Sequence, residues 1–260
     1  MSTPVLLARD ITKSYGHVVA LRGASLELHA GEVVALLGDN GAGKSTFIKA
    51  LSGAIKPDGG KIEVLGQPVD LESGYRAQDY GIDTVYQDLA LAPDLSLAEN
   101  IYLGRESVRA GLLGKLGVLD RRTMVKDAGA AFSQLSVKLP SPRSSVAGLS
   151  GGQRQAVAIA RSVMWAKHAI FMDEPTAALG ARQTEIVCDT IRDYSKRGLG
   201  ILIISHDLPR MLTLADRFLI MRHGRVEANL TREEATMPRI LGAMLGEEAP
   251  ADRSSQPTRA

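Results

Sequence analysis

A glycine-rich loop with a lysine and two hydroxyl side chains lies at residues 38–46, GDNGAGKST. It matches the pattern GxxxxGK[ST], in which backbone N–H groups turn toward phosphate oxygens and the next helix adds partial positive charge at its N-terminus. We expect Lys44 to reach the β and γ phosphates of a nucleotide and the Ser45 hydroxyl to bind Mg²⁺. The predicted nucleotide-binding residues of the loop are Gly38, Asp39, Asn40, Gly41, Ala42, Gly43, Lys44, Ser45 and Thr46. The alternative is a tight glycine turn with an exposed lysine, which the apolar run before it and the helical pattern after it disfavour.

Two adjacent carboxylates follow an apolar run in the second half of the chain. The run Ala169–Met172 is typical of a buried strand, and Asp173 and Glu174 come directly after it. At the carboxyl end of a strand, both acids would lie at the crevice where α/β sheets bind ligands, and they would face different parts of it. We assign Asp173 to Mg²⁺, through water, and Glu174 to the attacking water as general base or polariser. Without the glycine loop, two solvated acids would be the simpler interpretation.

Three further residues are candidates for the same site. His206 follows the apolar run Ile201–Ile204, and we expect it to contact the γ-phosphate and orient the water. Gln87 follows another short strand, where its amide would bind Mg²⁺ or water. Tyr15 is one of few aromatic residues, which make up 4% of the chain, and its ring would stack on adenine. The alternatives are a structural histidine, a surface glutamine and a tyrosine used only for packing.

A second glycine-rich turn, GLSGGQRQ, occupies residues 148–155. Apolar residues recur after it at helical spacing, which predicts a helix with Ser150 near its N-cap. The N-terminus of such a helix binds anions. Because one nucleotide needs only one cradle, this turn is either structural or serves something else.

Strands and helices alternate around these residues. The first part contains the β-rich runs VLLARD, ASLELHAGEVVALL and KIEVLG, and the last part alternates short apolar strands with helices. This order predicts an α/β fold with a mainly parallel sheet. Residues 88–165 have helical patterning and are predicted to form a lobe inserted into a domain of residues 1–246. We expect a late hairpin turning at His223-Gly224 and a disordered tail at 247–260.

The composition excludes several classes of protein. The chain has 260 residues, of which 45% are hydrophobic, so it is globular. A net charge of +2 without a long basic run argues against a nucleic-acid partner. The single cysteine, Cys188, forms no internal disulfide and fits a reducing, cytosolic setting. The N-terminus has no signal-peptide pattern, and the longest apolar runs fall short of the roughly 20 residues that span a bilayer.

Taken together, these motifs resemble the ATP-binding subunit of ABC transporters over about residues 5–245. The matching motifs are GDNGAGKST (Walker A), the Gln87 loop, LSGGQ at 149–153 (the signature), AIFMDE at 169–174 (Walker B) and ISHD at 204–207 (the switch histidine). Tyr15 stands at the spacing of the family's adenine-stacking aromatic. The resemblance implies a P-loop NTPase fold with an N-terminal antiparallel β subdomain and an inserted α-helical subdomain. Stretches such as VYQDLALAPDLSLAENIYLGRE and ISHDLPRMLTLADR are similar to the monosaccharide branch of bacterial importers.

The resemblance also implies partners. Two copies would bind head to tail around two ATP molecules, with Ser150, Gly151, Gly152 and Gln153 of one copy on the ATP held by the other. Separate transmembrane permease subunits would contact residues 87–105, and a periplasmic solute-binding protein would act indirectly. The chain would then be a peripheral protein on the cytoplasmic face of the inner membrane.

One residue departs from the family pattern, and several alternatives stay open. Gly180 stands where the family usually has an aspartate soon after Walker B, so any role that needs a carboxylate there is in doubt. An ABC ATPase for another solute, an exporter subunit, a P-loop kinase and a soluble ABC-type ATPase of DNA maintenance are alternatives. The last would carry long coiled-coil or zinc-bearing insertions, and neither heptads nor a cysteine cluster occurs here.

Overall fold

A computed structural model describes residues 3–71, 74–133, 139–177 and 179–247. Its strands are β1 (Leu6–Tyr15), β2 (Val18–Leu28), β3 (Val33–Leu37), β4 (Gly59–Val64), β5 (Gln67–Pro68), β6 (Ile82–Val85), β7 (Ala169–Asp173), β8 (Gly200–Ile204), β9 (Arg217–Arg222) and β10 (Arg225–Thr231). Its α-helices are α1 (Lys44–Ser52), α2 (Leu97–Tyr102), α3 (Leu112–Lys115), α4 (Arg121–Ser133), α5 (Gly151–Trp165), α6 (Ala181–Lys196), α7 (Leu208–Leu214) and α8 (Met237–Leu245).

The central sheet has the strand order β10-β9-β3-β8-β7-β6 and is parallel except for β10, which pairs antiparallel with β9. Strands β3, β6, β7 and β8 are buried along their whole length, which explains their mostly apolar sequences. In the register of β7 with β8, Asp173 lies opposite Ile204. The residues that follow these two strands therefore meet at one edge of the sheet. The expected hairpin at His223-Gly224 joins β9 to β10.

The N-terminal sheet is antiparallel, with the order β2-β1-β4-β5. Strands β1 and β2 extend beyond the predicted β-rich runs and form a hairpin in which Tyr15 pairs with Val18. The sequence pattern does not reveal this hairpin because the register of β1 shifts between Ala8 and Ile11, where Asp10 has a φ of +51°. Such a bulge interrupts the alternation of buried and exposed side chains. The predicted run ASLELHAGEVVALL is two strands, since β2 ends at Leu28.

Helix α1 lies between the two sheets. Phe47, Ile48 and Leu51 of this helix join a core cluster with residues of β1, β2 and β4 and with Val34 and Leu36 of β3. The neighbouring β3 residues face the other side of the central sheet, where they join a second cluster that includes side chains of α6, α7 and α8. The alternation of β3 side chains thus builds two apolar layers on the two faces of one strand.

A third core cluster belongs to helices α2, α4 and α5. It contains Leu97, Ile101, Met124, Phe132 and Val157, among others. The α/β fold with an inserted helical subdomain is thereby confirmed, whereas the boundaries 88–165 and 1–246 stay predictions. Except for Glu247, the tail predicted to be disordered lies outside the described residues.

Candidate active site

The glycine loop connects β3 to α1 and runs against two other backbone segments. Gly38 has a φ of +145° and Gly43 a φ of +105°. A Cβ atom on Gly38 would clash with the carbonyl oxygen of Met221, and one on Gly43 would lie 2.7 Å from that of Ala20. Only glycine permits both the conformation and the close approach, so the loop is held in one shape by its neighbours.

Lys44 is buried at the start of α1. Its Nζ donates hydrogen bonds to the carbonyl oxygens of Gly38 at 2.7 Å and Asp39 at 2.9 Å, across the mouth of the loop. Burial lowers the pKa of Lys44, while the negative charges of Glu174 and Asp173 act in the opposite direction. The ammonium group therefore lies where an anion on the loop would relieve the cost of its burial.

Ser45 and Asp173 meet at the same edge of the sheet. Asp173 is the last residue of β7 and is buried, and it lines the same cavity as Ser45. Burial raises the pKa of Asp173, and interaction with the Ser45 hydroxyl and the charge of Lys49 partly oppose this rise. A hydroxyl and a carboxylate so close together form a pair of hard oxygen donors of the kind that Mg²⁺ prefers.

Glu174 follows Asp173 with a φ of +54°, a left-handed conformation that is uncommon for residues other than glycine. Its Oε1 lies 3.0 Å from Nε2 of His206 but is buried without a well-aligned hydrogen bond. Burial raises the pKa of Glu174, with Asp173 adding to the rise and the charge of His206 opposing it. Because the proton affinity of this carboxylate is raised and one oxygen lacks a donor, it is suited to accept a proton.

A cavity of about 580 Å³ unites most of the predicted residues. Its lining includes Tyr15, Asn40, Gly41, Gly43, Lys44, Ser45, Thr46, Gln87, Asp173, Glu174 and His206. Tyr15 is 49% exposed and stands with Val18 and Val19 at one side of the cavity. The other loop residues, Gly38, Asp39 and Ala42, do not line this cavity, and the last two face a neighbouring one of about 310 Å³.

The second glycine-rich turn begins α5 and has its own polar partners. The Ser150 hydroxyl accepts a hydrogen bond from the N–H of Gln153 at 3.3 Å, and the Gln153 side chain accepts one from the N–H of Ser150 at 3.0 Å. This reciprocal capping box satisfies donors at the helix end. Ser150 and Gly151 are exposed, and none of Ser150, Gly151, Gly152 and Gln153 lines the cavity.

Comparison with known proteins decides the family. The family model for ABC transporters matches residues 21–177. The chain is 45% identical to the fructose import ATP-binding protein of Rhizobium meliloti over 249 residues, covering 95% of this chain and 96% of that protein. It is 43% identical to the xylose/arabinose import ATP-binding protein of Sulfolobus acidocaldarius over 240 residues, covering 92% and 93%.

The chain belongs to the ABC transporter family. The predicted resemblance is confirmed, and as a member of this family the chain is an ATPase. A ribose import ATP-binding protein of Rubrobacter xylanophilus is 40% identical, and this ABC ATPase spans 50% of that longer chain.

Solved structures share the fold of this ABC ATPase. An ATP-binding cassette of an ABC transporter superposes with a TM-score of 0.77 at 26% identity, covering 93% of this chain and 99% of that one. A dimeric cassette in a post-hydrolysis state, bound to ADP and Pi, has a TM-score of 0.73 at 24% identity, covering 87% and 98%. In the described part of the chain, no helix combines the length and the apolar character needed to cross a membrane.

Gly180, where the ABC family usually has aspartate, begins α6. Its N–H donates a hydrogen bond to Oε1 of Gln183 at 2.9 Å. A Cβ atom on Gly152 would lie 3.1 Å from Cδ of the same Gln183 and 3.4 Å from Leu179. The turn before α6 thus packs directly against the signature turn. The preceding Ala178 lies outside the described residues.

Sequence analysis missed several residues of this ABC ATPase site. Val18, Val19, Ala20 and Ala177 also line the cavity. The two valines could have been found if β1 and β2 had been recognised as one hairpin around Gly16-His17. The contact of Gln183 with the signature turn and with Gly180 has no sequence pattern, because it depends on how α5 and α6 pack.

Proposed function

We propose that this chain hydrolyses ATP between two copies of itself and thereby drives sugar import, of a monosaccharide, through a separate permease. One observation carries the proposal. A single cavity gathers Lys44, Ser45, both carboxylates and His206, while the signature turn lies outside it on an exposed helix end. Each copy therefore has the groups to bind and cleave a nucleotide but lacks the second anion-binding turn at its own site.

The loop and Tyr15 would divide the recognition of ATP between them. The Lys44 ammonium, now bonded to the carbonyl oxygens of Gly38 and Asp39, would exchange these neutral acceptors for β and γ phosphate oxygens. Backbone N–H groups of Gly41 and of residues 43–46 would bind the remaining phosphate oxygens. The adenine would stack on Tyr15, with Val18 and Val19 covering its edge.

Mg²⁺ would be held by Ser45 and Asp173, with Gln87, which lines the same cavity, as a further ligand. The Ser45 hydroxyl and the Asp173 carboxylate, which line one cavity, fit the ion, since Mg²⁺ binds one or two carboxylates together with substrate phosphates and water. When bound, the ion would neutralise charge on the β and γ phosphates. Gln87 follows β6 and is exposed at the cavity, so its amide can contact a ligand that binds there.

Glu174 would act as the general base. Its side chain lines the cavity where a water could attack the γ-phosphate, and its Oε1 has no well-aligned donor. His206, with Nε2 at 3.0 Å from that oxygen, would hold the carboxylate and donate to the γ-phosphate as the proton leaves the water. Asp173 stays with the metal, so the two adjacent acids have separate tasks.

The second copy would complete each site. Ser150, Gly151, Gly152 and Gln153 of that copy would bind the γ-phosphate through the N-terminus of α5. The capping box shapes this turn before any ligand arrives, which reduces the entropy lost on binding. The dimeric cassette of the same fold, bound to ADP and Pi, supports an assembly of two copies.

The names of the relatives support an import role. The two relatives that match nearly their whole length act on fructose and on xylose or arabinose, which are monosaccharides. We propose that residues 87–105 contact the permease on the cytoplasmic face of the inner membrane. A periplasmic binding protein would deliver the sugar to the permease from the other side.

The proposal is tested by purifying the tagged chain from membranes of its own cell and reconstituting what copurifies into vesicles. We expect a permease, ATPase activity stimulated by one sugar, and ATP-dependent uptake of that sugar. Copurification with DNA, or uptake of a solute other than a sugar, would contradict the proposal. The Lys44→Ala variant is the matched negative control, because it should assemble but not bind ATP.

A further inference from the structure

An ordered hairpin protrudes from the helical subdomain between α2 and α4. Its arms are joined by a hydrogen bond from the N–H of Asp120 to the carbonyl of Ser107 at 2.7 Å and one from Arg109 to Val118 at 2.9 Å. Helix α3 lies between the arms, so close that a Cβ atom on Gly114 would clash with the Arg109 carbonyl oxygen. We call residues 107–120 the apolar hairpin. These contacts give it a defined shape.

The apolar hairpin exposes five aliphatic side chains. They are Val108, Leu112, Leu113, Leu116 and Val118. Leu112 and Leu116 are 75% and 72% exposed, which is unusual for leucines on a structured element. Contiguous exposed apolar side chains of this kind mark a surface that binds something.

A basic cavity adjoins the apolar hairpin. We call it the arginine cavity; its volume is about 560 Å³, and Arg109, Arg121, Arg122 and Arg143 line it. Arg109 belongs to both features, so the two surfaces are continuous. The cavity has one carboxylate, Glu99, which lies 3.7 Å from Arg121 and also caps α2.

The positive charge of the arginine cavity is only partly balanced by nearby acids, since Glu99 lies 3.7 Å from Arg121 and the charge of Arg109 acts on Asp120. In the part of the chain that the structure describes, neither Arg122 nor Arg143 has a carboxylate within ion-pair distance. The chain as a whole has a net charge of only +2, so four arginines around one glutamate are a local concentration of positive charge. Such a site favours phosphate oxygens, which arginine binds through two parallel hydrogen bonds.

We propose that the apolar hairpin and the arginine cavity together bind the surface of a bilayer that contains anionic phospholipid. The exposed leucines would enter the boundary between headgroups and acyl chains, and the arginines would bind headgroup phosphates. Attraction of clustered Lys and Arg to an anionic leaflet has the required sign and range. The chain would thus have a lipid contact in addition to any contact with a permease.

The chemistry of the surface favours lipid over a protein partner. The exposed apolar side chains of the stretch SVRAGLLGKLGVLD are Leu and Val, which are under-represented at the energetic centres of protein interfaces. The aliphatic side chains project from a hairpin instead of lining a groove. A fluid bilayer accepts such a tip without a matching pocket.

The test is sedimentation of the full chain with vesicles in the absence of a permease. We expect binding to vesicles of phosphatidylglycerol mixed with phosphatidylcholine, weaker binding to phosphatidylcholine alone, and loss of binding at high salt. The Leu112→Ser/Leu116→Ser variant and the Arg122→Gln/Arg143→Gln variant should each bind the anionic vesicles about 10-fold more weakly.

Matched controls separate this effect from a general loss of apolar or charged surface. Leu241→Ser/Leu245→Ser removes two exposed leucines from α8, and Arg76→Gln/Arg239→Gln removes two exposed arginines elsewhere. Both controls should bind like the wild type, and all variants should keep the wild-type ATPase activity and melting temperature. Absence of vesicle binding, or equal binding by hairpin and control variants, would overturn the inference. Binding only to detergent-solubilised permease would overturn it in favour of a protein contact.

Discussion

The two glycine-rich turns of this chain both begin helices, but their surroundings are opposite. The loop at 38–46 lies beside buried side chains, and burial shifts the pKa values of Lys44, Asp173 and Glu174. The turn at 148–153 is partly exposed and is satisfied by its own capping box. The groups at the first turn have shifted pKa values, as catalytic groups often do. The second turn is an accessible helix N-terminus whose capping groups are already hydrogen-bonded to each other.

This difference indicates that one turn serves catalysis and the other serves contact with a second molecule. A group that must gain or lose a proton or bind a cation needs an environment that shifts its affinity, and the strand-end site provides one. A surface that must meet and leave a second molecule needs to be accessible and already shaped. The signature turn has these properties, and Gln183 connects it to the turn that begins at Gly180.

The largest expected effect is on the chemical step. Glu174→Gln should lower kcat by about 10²- to 10⁴-fold, because the amide cannot accept the water proton. ATP binding should persist, and the ATP-bound dimer should accumulate in size-exclusion chromatography. Wild-type turnover by this variant would show that another group is the base. The first turn would then no longer differ from the signature turn in holding the catalytic base.

Ser150→Arg should act through the partner's site. We expect turnover to fall about 100-fold, since a bulky cation displaces the anion-binding helix end from the γ-phosphate. ATP affinity of the monomer should not change, because the turn does not line this chain's cavity. Ser96→Ala removes the capping box of α2 and controls for lost helix capping, which costs about 1 kcal/mol. Weakened ATP binding by the monomer would place the turn in the chain's own site.

Tyr15→Ala tests the exposed side of the cavity. The loss of ring stacking should weaken ATP binding about 3- to 10-fold, measured by titration with a fluorescent nucleotide, and leave kcat nearly unchanged. Tyr15→Phe should bind ATP like the wild type, since the ring and not the hydroxyl makes the contact. Tyr80→Ala alters another exposed tyrosine and serves as control. A Tyr15→Ala variant with wild-type affinity would leave the residue a packing role only.

The smallest expected effect is a pH-dependent gain in stability. Because the pKa of Glu174 is raised in the folded state, the folded protein binds more protons than the unfolded chain, and stability falls as pH rises through the folded pKa. Glu174→Gln should therefore have a larger free energy of unfolding than the wild type at neutral pH. The gain should shrink on acidification and vanish below the ordinary value of 4.5. Urea unfolding across this range measures it, and a pH-independent difference would contradict the buried-charge account.

Much of the site could be predicted because short-range patterns specify it. The glycine loop follows a buried strand directly, Asp173 ends a strand, and His206 follows another. The apolar runs of these strands identify them as buried and show where they end. Parallel pairing then brings these ends together, as the register of Asp173 with Ile204 does here.

The remaining features depend on contacts between distant segments. The β1–β2 hairpin was obscured by the bulge at Asp10, so Val18 and Val19 were not expected at the cavity. The left-handed conformation of Glu174 has no signature in residue type. The contacts of Gln183 and the arginine cavity likewise depend on how the helices pack, which sequence periodicity does not specify.

The central claim, that each site joins the strand-end groups of one copy to the signature turn of another, is tested most directly with heterodimers isolated through two different tags. One dimer pairs Glu174→Gln with Ser150→Arg, and the other pairs the double variant with the wild type. If sites form between copies, the first dimer keeps one intact site and hydrolyses ATP, whereas the second has none. Activity in the second dimer with none in the first would contradict the account, because it would put both turns in the site of a single chain.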